Sequence, residues 1–421
     1  MILDTTDLII SVMYFFLLFL SIFWLIVLVT SKEDQRERQI KRFPSFTVIV
    51  PAFNEQESIV QTLESALRLD YPPEKVQIIV VNDGSTDNTK VLVEEVMKGY
   101  PQRDITLINQ ENKGKGSAMN NGLKFVKGEF FASLDADSFV SPDALKKMIV
   151  HFDADPQLAA VCPLLKVKKP ENTLQKVQWY EYLINMFYRQ LNAHIDCIHV
   201  TPGPFSIYRT KVVQDLGGYD EKNLTEDLEI AIRLQKHHYK IIQRFDAVVE
   251  TVTPQTWRSL FRQRVRWYKG SIDNALAYKS LMFNKHYGDF GFLRMPTIIA
   301  SGAIAIILTV VLLQQVLSRA WSWLSSLQAV NYDLLTLIKG FTFQFNFLSL
   351  PFFKVTIAVT LMALSFFIMM YSFKVVEEKI TNHGRTWVSL LLYLTVYSIF
   401  ISTVWIAIAF RYASRRKDYW K

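Results

Sequence analysis

Cysteine is scarce: the 421 residues hold two, Cys162 and Cys197, and neither sits at metal-ligand spacing. A disulfide framework and a cysteine-built zinc site are thereby excluded, and two free thiols are expected. No zinc-finger or RNA-binding motif accompanies the net charge of +8. The basic clusters, residues 32–42 and 411–417, stand beside apolar runs, which favours membrane flanks over nucleic-acid binding. Between Ser31 and Tyr287 there is also no stretch long and apolar enough to cross a bilayer. Yet half of all residues are hydrophobic and a fifth are charged, so the chain must mix a strongly polar region with nearly charge-free ones.

The apolar runs mark those regions. Residues 8–30 have the length of a spanning helix, with Asp4 and Asp7 before them and Lys32, Arg36, Arg38, Lys41 and Arg42 after. The positive-inside bias then predicts the N-terminus outside and the following region in the cytoplasm. The basic start, short apolar core and small-residue cleavage site of a signal peptide are missing, so a signal anchor is expected. Further runs cover residues 295–317, 355–373 and 387–410. Residues 334–352, with Lys339 inside and Pro351 near the end, read either as a crossing or as an interfacial helix. A cytoplasmic basic tail requires an even number of crossings after residue 287, which predicts five spans in all.

The polar region alternates in period. Short apolar runs at 46–53, 76–81, 105–108 and 130–134 predict strands, and 55–69, 86–97 and 116–126 predict helices. Strands apolar throughout suit a parallel sheet covered on both faces, hence a doubly wound α/β domain. Such sheets bind ligands beyond the carboxyl ends of their strands. Asn54-Glu55, Asp83 and Asp135-Ala136-Asp137 all fall at those ends.

Each acidic position has two readings. Asp83, followed by Gly84-Ser85-Thr86-Asp87, fits a turn and helix cap as well as a ligand contact. Asp135 and Asp137 fit a surface turn, or a pair of hard oxygen ligands for Mg²⁺ or Mn²⁺ that share the ion with a diphosphate. Thr225-Glu226-Asp227 opens a helical stretch at 228–235, either as cap and acidic first turn or with Asp227 as general base. Gln263-Arg264-Val265-Arg266-Trp267 lies in an aromatic and basic segment that reads as an interfacial amphipathic helix. There Arg266 could alternatively pair with phosphate oxygens while Trp267 packs on a sugar ring.

Taken in order, Asp83, Asp135, Asp137, Asp227 and Gln-x-x-Arg-Trp resemble the processive, membrane-integrated family 2 glycosyltransferases, among them the cellulose, hyaluronan and poly-N-acetylglucosamine synthases. The resemblance covers residues 45–270. It implies a GT-A glycosyltransferase domain inserted between transmembrane helices, divided as 1–31 signal anchor, 32–250 cytoplasmic catalytic domain, 251–290 interfacial segment and 291–421 membrane region with a basic tail. It further implies a nucleotide-sugar donor, preferably a UDP-sugar, a glycan acceptor, the lipid bilayer as surroundings and no nucleic acid. In that likeness Asp83 contacts the base and Lys115 lies by the diphosphate. Asp135 and Asp137 hold Mg²⁺ or Mn²⁺, and Asp227, with Glu226 beside it, is the catalytic base. Gln263, Arg266 and Trp267 line the acceptor and diphosphate site, and residues 201–209 (Thr-Pro-Gly-Pro-Phe-Ser-Ile-Tyr-Arg) resemble an acceptor-binding segment. The implied reaction is inverting elongation of a β-linked polysaccharide, coupled to secretion. Transfer of one sugar to a lipid is the alternative. A non-catalytic membrane protein on the same fold would have lost its aspartates.

Overall fold

The computed structural model describes residues 5–31, 40–333, 351–384 and 386–414. Helix α1 (Thr5–Thr30) leads into strand β1 (Phe46–Ala52), which is followed by α2 (Ile59–Leu67) and β2 (Val76–Asp83). Next come α3 (Thr89–Gly99), β3 (Asp104–Gln110), α4 (Lys115–Leu123) and β4 (Phe130–Ser133). After β5 (Ser138–Val140), α5 (Ala144–Ile149), β6 (Leu158–Val167) and the long α6 (Thr173–His194), the chain returns through β7 (Ser206–Arg209) and α7 (Thr210–Asp215). Helix α8 (Glu226–Lys236), β8 (Lys240–Thr251) and α9 (Trp257–Ala277) complete the polar region.

The strands form one sheet in the order β3-β2-β1-β4-β7-β6-β8-β5. The first four are parallel, as the uninterrupted apolar runs predict, whereas β7 enters antiparallel between β4 and β6. Alternate residues of the central strands feed two cores. Val48, Val50, Ile78, Val80 and Phe130 pack on one face with Ile59, Leu63, Val93 and Trp179, while Ile49, Ile79, Val81 and Phe131 pack on the other with Met119, Val213 and Ile230. Burial on both faces is why these strands lack a polar alternation.

This topology decides what meets at one edge. Strands β1, β2 and β4 run the same way, so Glu55, Asp83 and Asp135 leave the sheet side by side. Because β7 is antiparallel and pairs Ser206 with Ser133, the segment before it approaches that same edge. The Phe205 N–H donates to the Ser133 carbonyl at 2.6 Å.

Among the described residues, four helices are long and apolar enough to cross a membrane: Leu8–Thr30, Phe290–Ala329, Phe352–Val375 and Val396–Ala413. The second contains α10 (Met295–Ala329), and the third is α11 (Phe352–Val375). The run at 387–410, expected as one crossing, breaks at Thr395 into α12 (Trp387–Leu394) and α13 (Val396–Ala413). The ambiguous segment at 334–352 lies almost wholly outside the described residues, so the expected count of five rests on sequence alone. Their outward faces carry large apolar side chains such as Leu317, Trp321, Met362 and Phe410, all exposed. Side chains of this kind suit lipid rather than water. The polar region is fastened to these helices through α6, whose Trp179 and Tyr180 pack against Phe373 of α11.

Candidate active site

Lys115 is the first residue of α4 and reaches two carboxylates from it. Its Nζ lies 2.7 Å from Asp135 Oδ1 and 2.9 Å from Glu226 Oε1. Burial alone would lower the pKa of the ammonium, but Asp135, Glu226 and Asp227 hold it well above its usual range. Burial would likewise raise the Glu226 carboxyl, and Lys115 reverses that so Glu226 is held below its usual range. Asp227 has no such partner. Burial, and then the neighbouring Glu226 charge, push it up to about 6.

The loop before Lys115 is positioned by Asp83, which is 4% exposed. Its Oδ1 accepts from the Lys113 N–H at 2.9 Å and from Gln110 Nε2 at 2.7 Å, and its Oδ2 accepts from the Gly114 N–H at 2.9 Å. Gly114 takes φ +90°, which a side chain would resist. Asp83 therefore clamps the turn that aims Lys115, instead of capping the helix that follows β2.

Asp137 is raised to about 6 by burial and by Asp135; Glu55, at the end of β1, is raised to about 7 by burial and by Asp137. Asp135 Oδ1, a buried oxygen, lies in an ion pair with Lys115 and can accept further. Among the described residues, no three His, Cys, Asp or Glu side chains converge as a complete metal shell. Two carboxylate ligands with the remainder drawn from a diphosphate and water fit Mg²⁺ or Mn²⁺, which keep such partial shells.

The segment 201–205 covers the site. A Cβ on Gly203 would stand 2.5 Å from Lys115 Nζ and 2.7 Å from Asp135 Oδ1, so any larger residue there would push the ends of those two side chains out of place. Thr201 Oγ1 donates to the Asp227 carbonyl at 2.9 Å and accepts from the Tyr208 hydroxyl at 2.8 Å. Phe205 is buried at φ +57°, a conformation that a non-glycine residue holds only when its surroundings enforce it.

Thr225 does not cap α8 with its side chain. Its hydroxyl donates to Asn223 Oδ1 at 3.3 Å and accepts from Asn274 Nδ2 of α9 at 3.0 Å. Helix α9 thus docks on the start of α8 and brings Arg266 close enough for its charge to act on both Glu226 and Asp227. Gln263 and Trp267 are drawn instead to Arg264. Gln263 Oε1 accepts from Arg264 Nη1, and the guanidinium lies 4.3 Å from the Trp267 ring centroid. Arg264 is fully buried, ion-paired with Glu181 of α6, and its Nε donates to the Tyr397 hydroxyl at 3.3 Å.

The structure therefore brings Lys115, Asp135, Asp137, Glu226, Asp227 and Arg266 together and sets Asp83 behind them. Gln263 and Trp267 surround a buried ion pair that the sequence reading missed. Its acidic half, Glu181, lies in a mixed helix with no local signal. Arg42, expected as a membrane-flanking cation, pairs with Glu129 at 2.5 Å and Asp153 at 3.0 Å. Cys162 and Cys197 are buried free thiols, as expected.

Residues 47–217 match the model of glycosyl transferase family 2. Over 268 residues the chain is 31% identical to the poly-beta-1,6-N-acetyl-D-glucosamine synthase of Staphylococcus aureus (strain COL), covering 61% of this chain and 64% of that protein. Over 267 residues it is 30% identical to the synthase of the same name from Staphylococcus epidermidis, with the same coverage. The match thus spans slightly less than two-thirds of these relatives' length. Among solved structures, a mannosyltransferase from Pyrobaculum calidifontis in complex with GDP-Man and Mn²⁺ superposes with a TM-score of 0.63 at 20% identity, over 99% of this chain and 100% of that one. That likeness speaks to the fold alone, a GT-A-like sheet with apolar helices. Residues 47–217, set between helices long and apolar enough to cross a membrane, are thus what this chain shares with glycosyl transferase family 2.

Proposed function

We propose that the chain is an inverting glycosyltransferase that elongates a β-linked polysaccharide at the membrane from a UDP-sugar. The names of its relatives point to N-acetylglucosamine as that sugar. The observation that carries this reading is the Lys115 bridge between Asp135 and Glu226, with Asp227 beside it. One carboxylate group is held charged at a cation, and its neighbour is left free to take a proton.

In this reading Asp227 accepts the proton of the attacking acceptor hydroxyl, and a pKa near 6 matches a base working near neutrality. Glu226 stays ionised on Lys115 and keeps that ammonium aimed at the leaving diphosphate. Arg266 adds positive charge from α9 on the side of Glu226 and Asp227. Asp135 and Asp137 would hold Mg²⁺ or Mn²⁺, which would supply charge neutralisation for the departing nucleotide diphosphate. Asp83, through Lys113 and Gly114, fixes the loop that we place at the nucleotide, with lone pairs left for the base. Displacement is direct, so no covalent sugar–enzyme intermediate forms. The basic stretch after α1 supports a sheet domain, residues 32–250, that lies in the cytoplasm, with the N-terminus outside.

The test is a donor panel with the full-length protein, Mg²⁺ or Mn²⁺ and radiolabelled UDP-N-acetylglucosamine, UDP-glucose, UDP-glucuronate or GDP-mannose. A ladder of polymer that disappears in Asp227→Asn is the expected result. A single lipid-soluble product would replace polymer synthesis with glycolipid synthesis, and no turnover with any donor would refute both. Coupled secretion is tested in sealed vesicles, where retention of all polymer on the donor side would exclude it.

A further inference from the structure

Helix α8 closes on a residue that its backbone does not favour. The Tyr239 N–H donates to the Leu234 carbonyl and the His238 N–H to the Gln235 carbonyl, each at 3.0 Å, with His238 at φ +59°. The left-handed residue of such a helix end is ordinarily glycine or asparagine, because other side chains are strained there. Here the strained residue brings its ring against another: His238 Nε2 lies 2.8 Å from His286 Nε2. Strain of this kind points to a use for the side chain that carries it.

Both rings are fixed by their surroundings and open to solvent. His286 stands in the short turn Lys285–Tyr287, where Asn284 Oδ1 accepts from the His286 N–H at 3.0 Å. The Tyr287 ring stacks on His238 with centroids 5.4 Å apart and planes at 8°. Beneath them, Leu281, Phe290 and Met295 share a core with Leu228 and Ile232 of α8, so the two histidine-bearing turns belong to one packed body. His238 and His286 are nonetheless exposed, and an ion can reach them.

The ring centroids lie 4.4 Å apart with planes at 84°. A straight hydrogen bond between the two nitrogens would hold the centroids about 5 Å apart, so the rings meet at an angle. Two nitrogens on one ion, each about 2.0–2.1 Å from it, stand about 2.9 Å apart at a right angle and about 3.4 Å apart at the tetrahedral angle. The observed 2.8 Å is close to the spacing of adjacent ligands. Imidazole nitrogen suits Zn²⁺ and its transition-metal neighbours, whereas Mg²⁺ takes oxygen.

We propose that His238 and His286 bind a divalent transition-metal ion of the Zn²⁺ type, at a surface site separate from the Asp135 and Asp137 carboxylates. Among the described residues no third His, Cys, Asp or Glu joins them, so water completes the shell and the ion exchanges readily. Bound there, the ion clasps the end of α8, which begins with Glu226 and Asp227, to the turn that leads into the apolar helix Phe290–Ala329. Metal binding at this pair requires no sugar transfer and stands apart from the glycosyltransferase reading.

The experiment uses full-length protein in detergent, without a polyhistidine tag, with Zn²⁺ as the probe and excess Mg²⁺ present throughout. Binding is measured by competition with a chromophoric chelator, and melting temperature is followed in parallel. Zn²⁺ is expected to bind saturably and to raise the melting temperature, because an ion that binds only the folded state stabilises it. His238→Gly and His286→Gln should each weaken binding roughly tenfold or more and remove the thermal shift, since each deletes one of two protein ligands. His237→Gln and Asp135→Asn should change neither. Without Zn²⁺, His238→Gly should melt at or above the wild-type temperature, because glycine takes the left-handed backbone without strain, so its loss of binding would not be a loss of fold. Binding that survives in both histidine variants, binding that vanishes in Asp135→Asn, or no binding in excess Mg²⁺ would each overturn the site. A metal-free His238→Gly protein that melts far below wild type would show the ring contact to be structural and overturn it as well.

Discussion

Glu181 and Arg189 lie on the same helix, α6, about two turns apart. At the first position, a buried carboxylate holds the guanidinium of Arg264, which also contacts Gln263, Tyr397 and the Trp267 ring. At the second, the partly buried guanidinium keeps a buried Nη1 that has no hydrogen-bond partner among the described residues. The same contrast separates Glu226, ionised on Lys115, from Asp227, which has no ion pair among the described residues and whose pKa burial and the Glu226 charge raise. In this molecule, charge that is satisfied ties helices together, and charge left open faces the place where a substrate is expected. Stability and activity should therefore respond to different residues.

The largest expected effect tests the open side. Asp227→Asn keeps the shape of the side chain and removes the proposed base, so sugar transfer should fall by roughly 10²–10⁴. Thermal unfolding should barely change, because the Asp227 carboxylate holds no neighbouring helix in place. A variant that kept most of its activity, measured by nucleotide diphosphate release, would move the base elsewhere. Glu181→Gln tests the satisfied side with the opposite signature. It leaves Arg264 buried and uncompensated, at a cost of about 3–5 kcal/mol. Pairing it with Arg264→Met should recover most of the loss in unfolding experiments. If the single variant unfolded like wild type, the distinction between the two kinds of charge would collapse.

A smaller effect follows from pH. With Asp227 near 6, the base is deprotonated and competent above that value, and protonation disables it below. The free-enzyme rate should drop about tenfold per unit of pH well below 6, as a single protonation requires. A rate unchanged between pH 7 and 5 would mean that no group of this kind limits the reaction.

The strand-end half of the candidate site was legible because its residues follow strands directly. Asp83 and Asp135 end runs that are apolar throughout, and parallel strands bring such ends to one edge whatever lies between them. The rest depends on packing between distant helices, which leaves no local period. Nothing near Glu181 announces Arg264. Competition between local readings also mattered. The cap expected at Thr225 is absent because Asn223 and Asn274 engage its hydroxyl. The antiparallel entry of β7 was equally invisible, and it is what lays Gly203 over Lys115.

The smallest predicted effect concerns how closely α9 must lie on α8 for Asp227 to stay open. A Cβ on Gly270 would stand 2.4 Å from Thr225 Oγ1 and 2.5 Å from its Cγ2. Alanine improves helix propensity by up to about 1 kcal/mol relative to glycine, whereas overpacking of this kind costs about 1–3 kcal/mol. The clash should win by roughly 1 kcal/mol, since Asn223 and Asn274 prevent Thr225 from turning away. Gly270→Ala should therefore unfold slightly earlier than wild type and lose transfer activity out of proportion to that loss, because Thr225 carries the next two residues, Glu226 and Asp227, with it. Equal losses of stability and rate would show that α9 supports the fold without setting the position of the base.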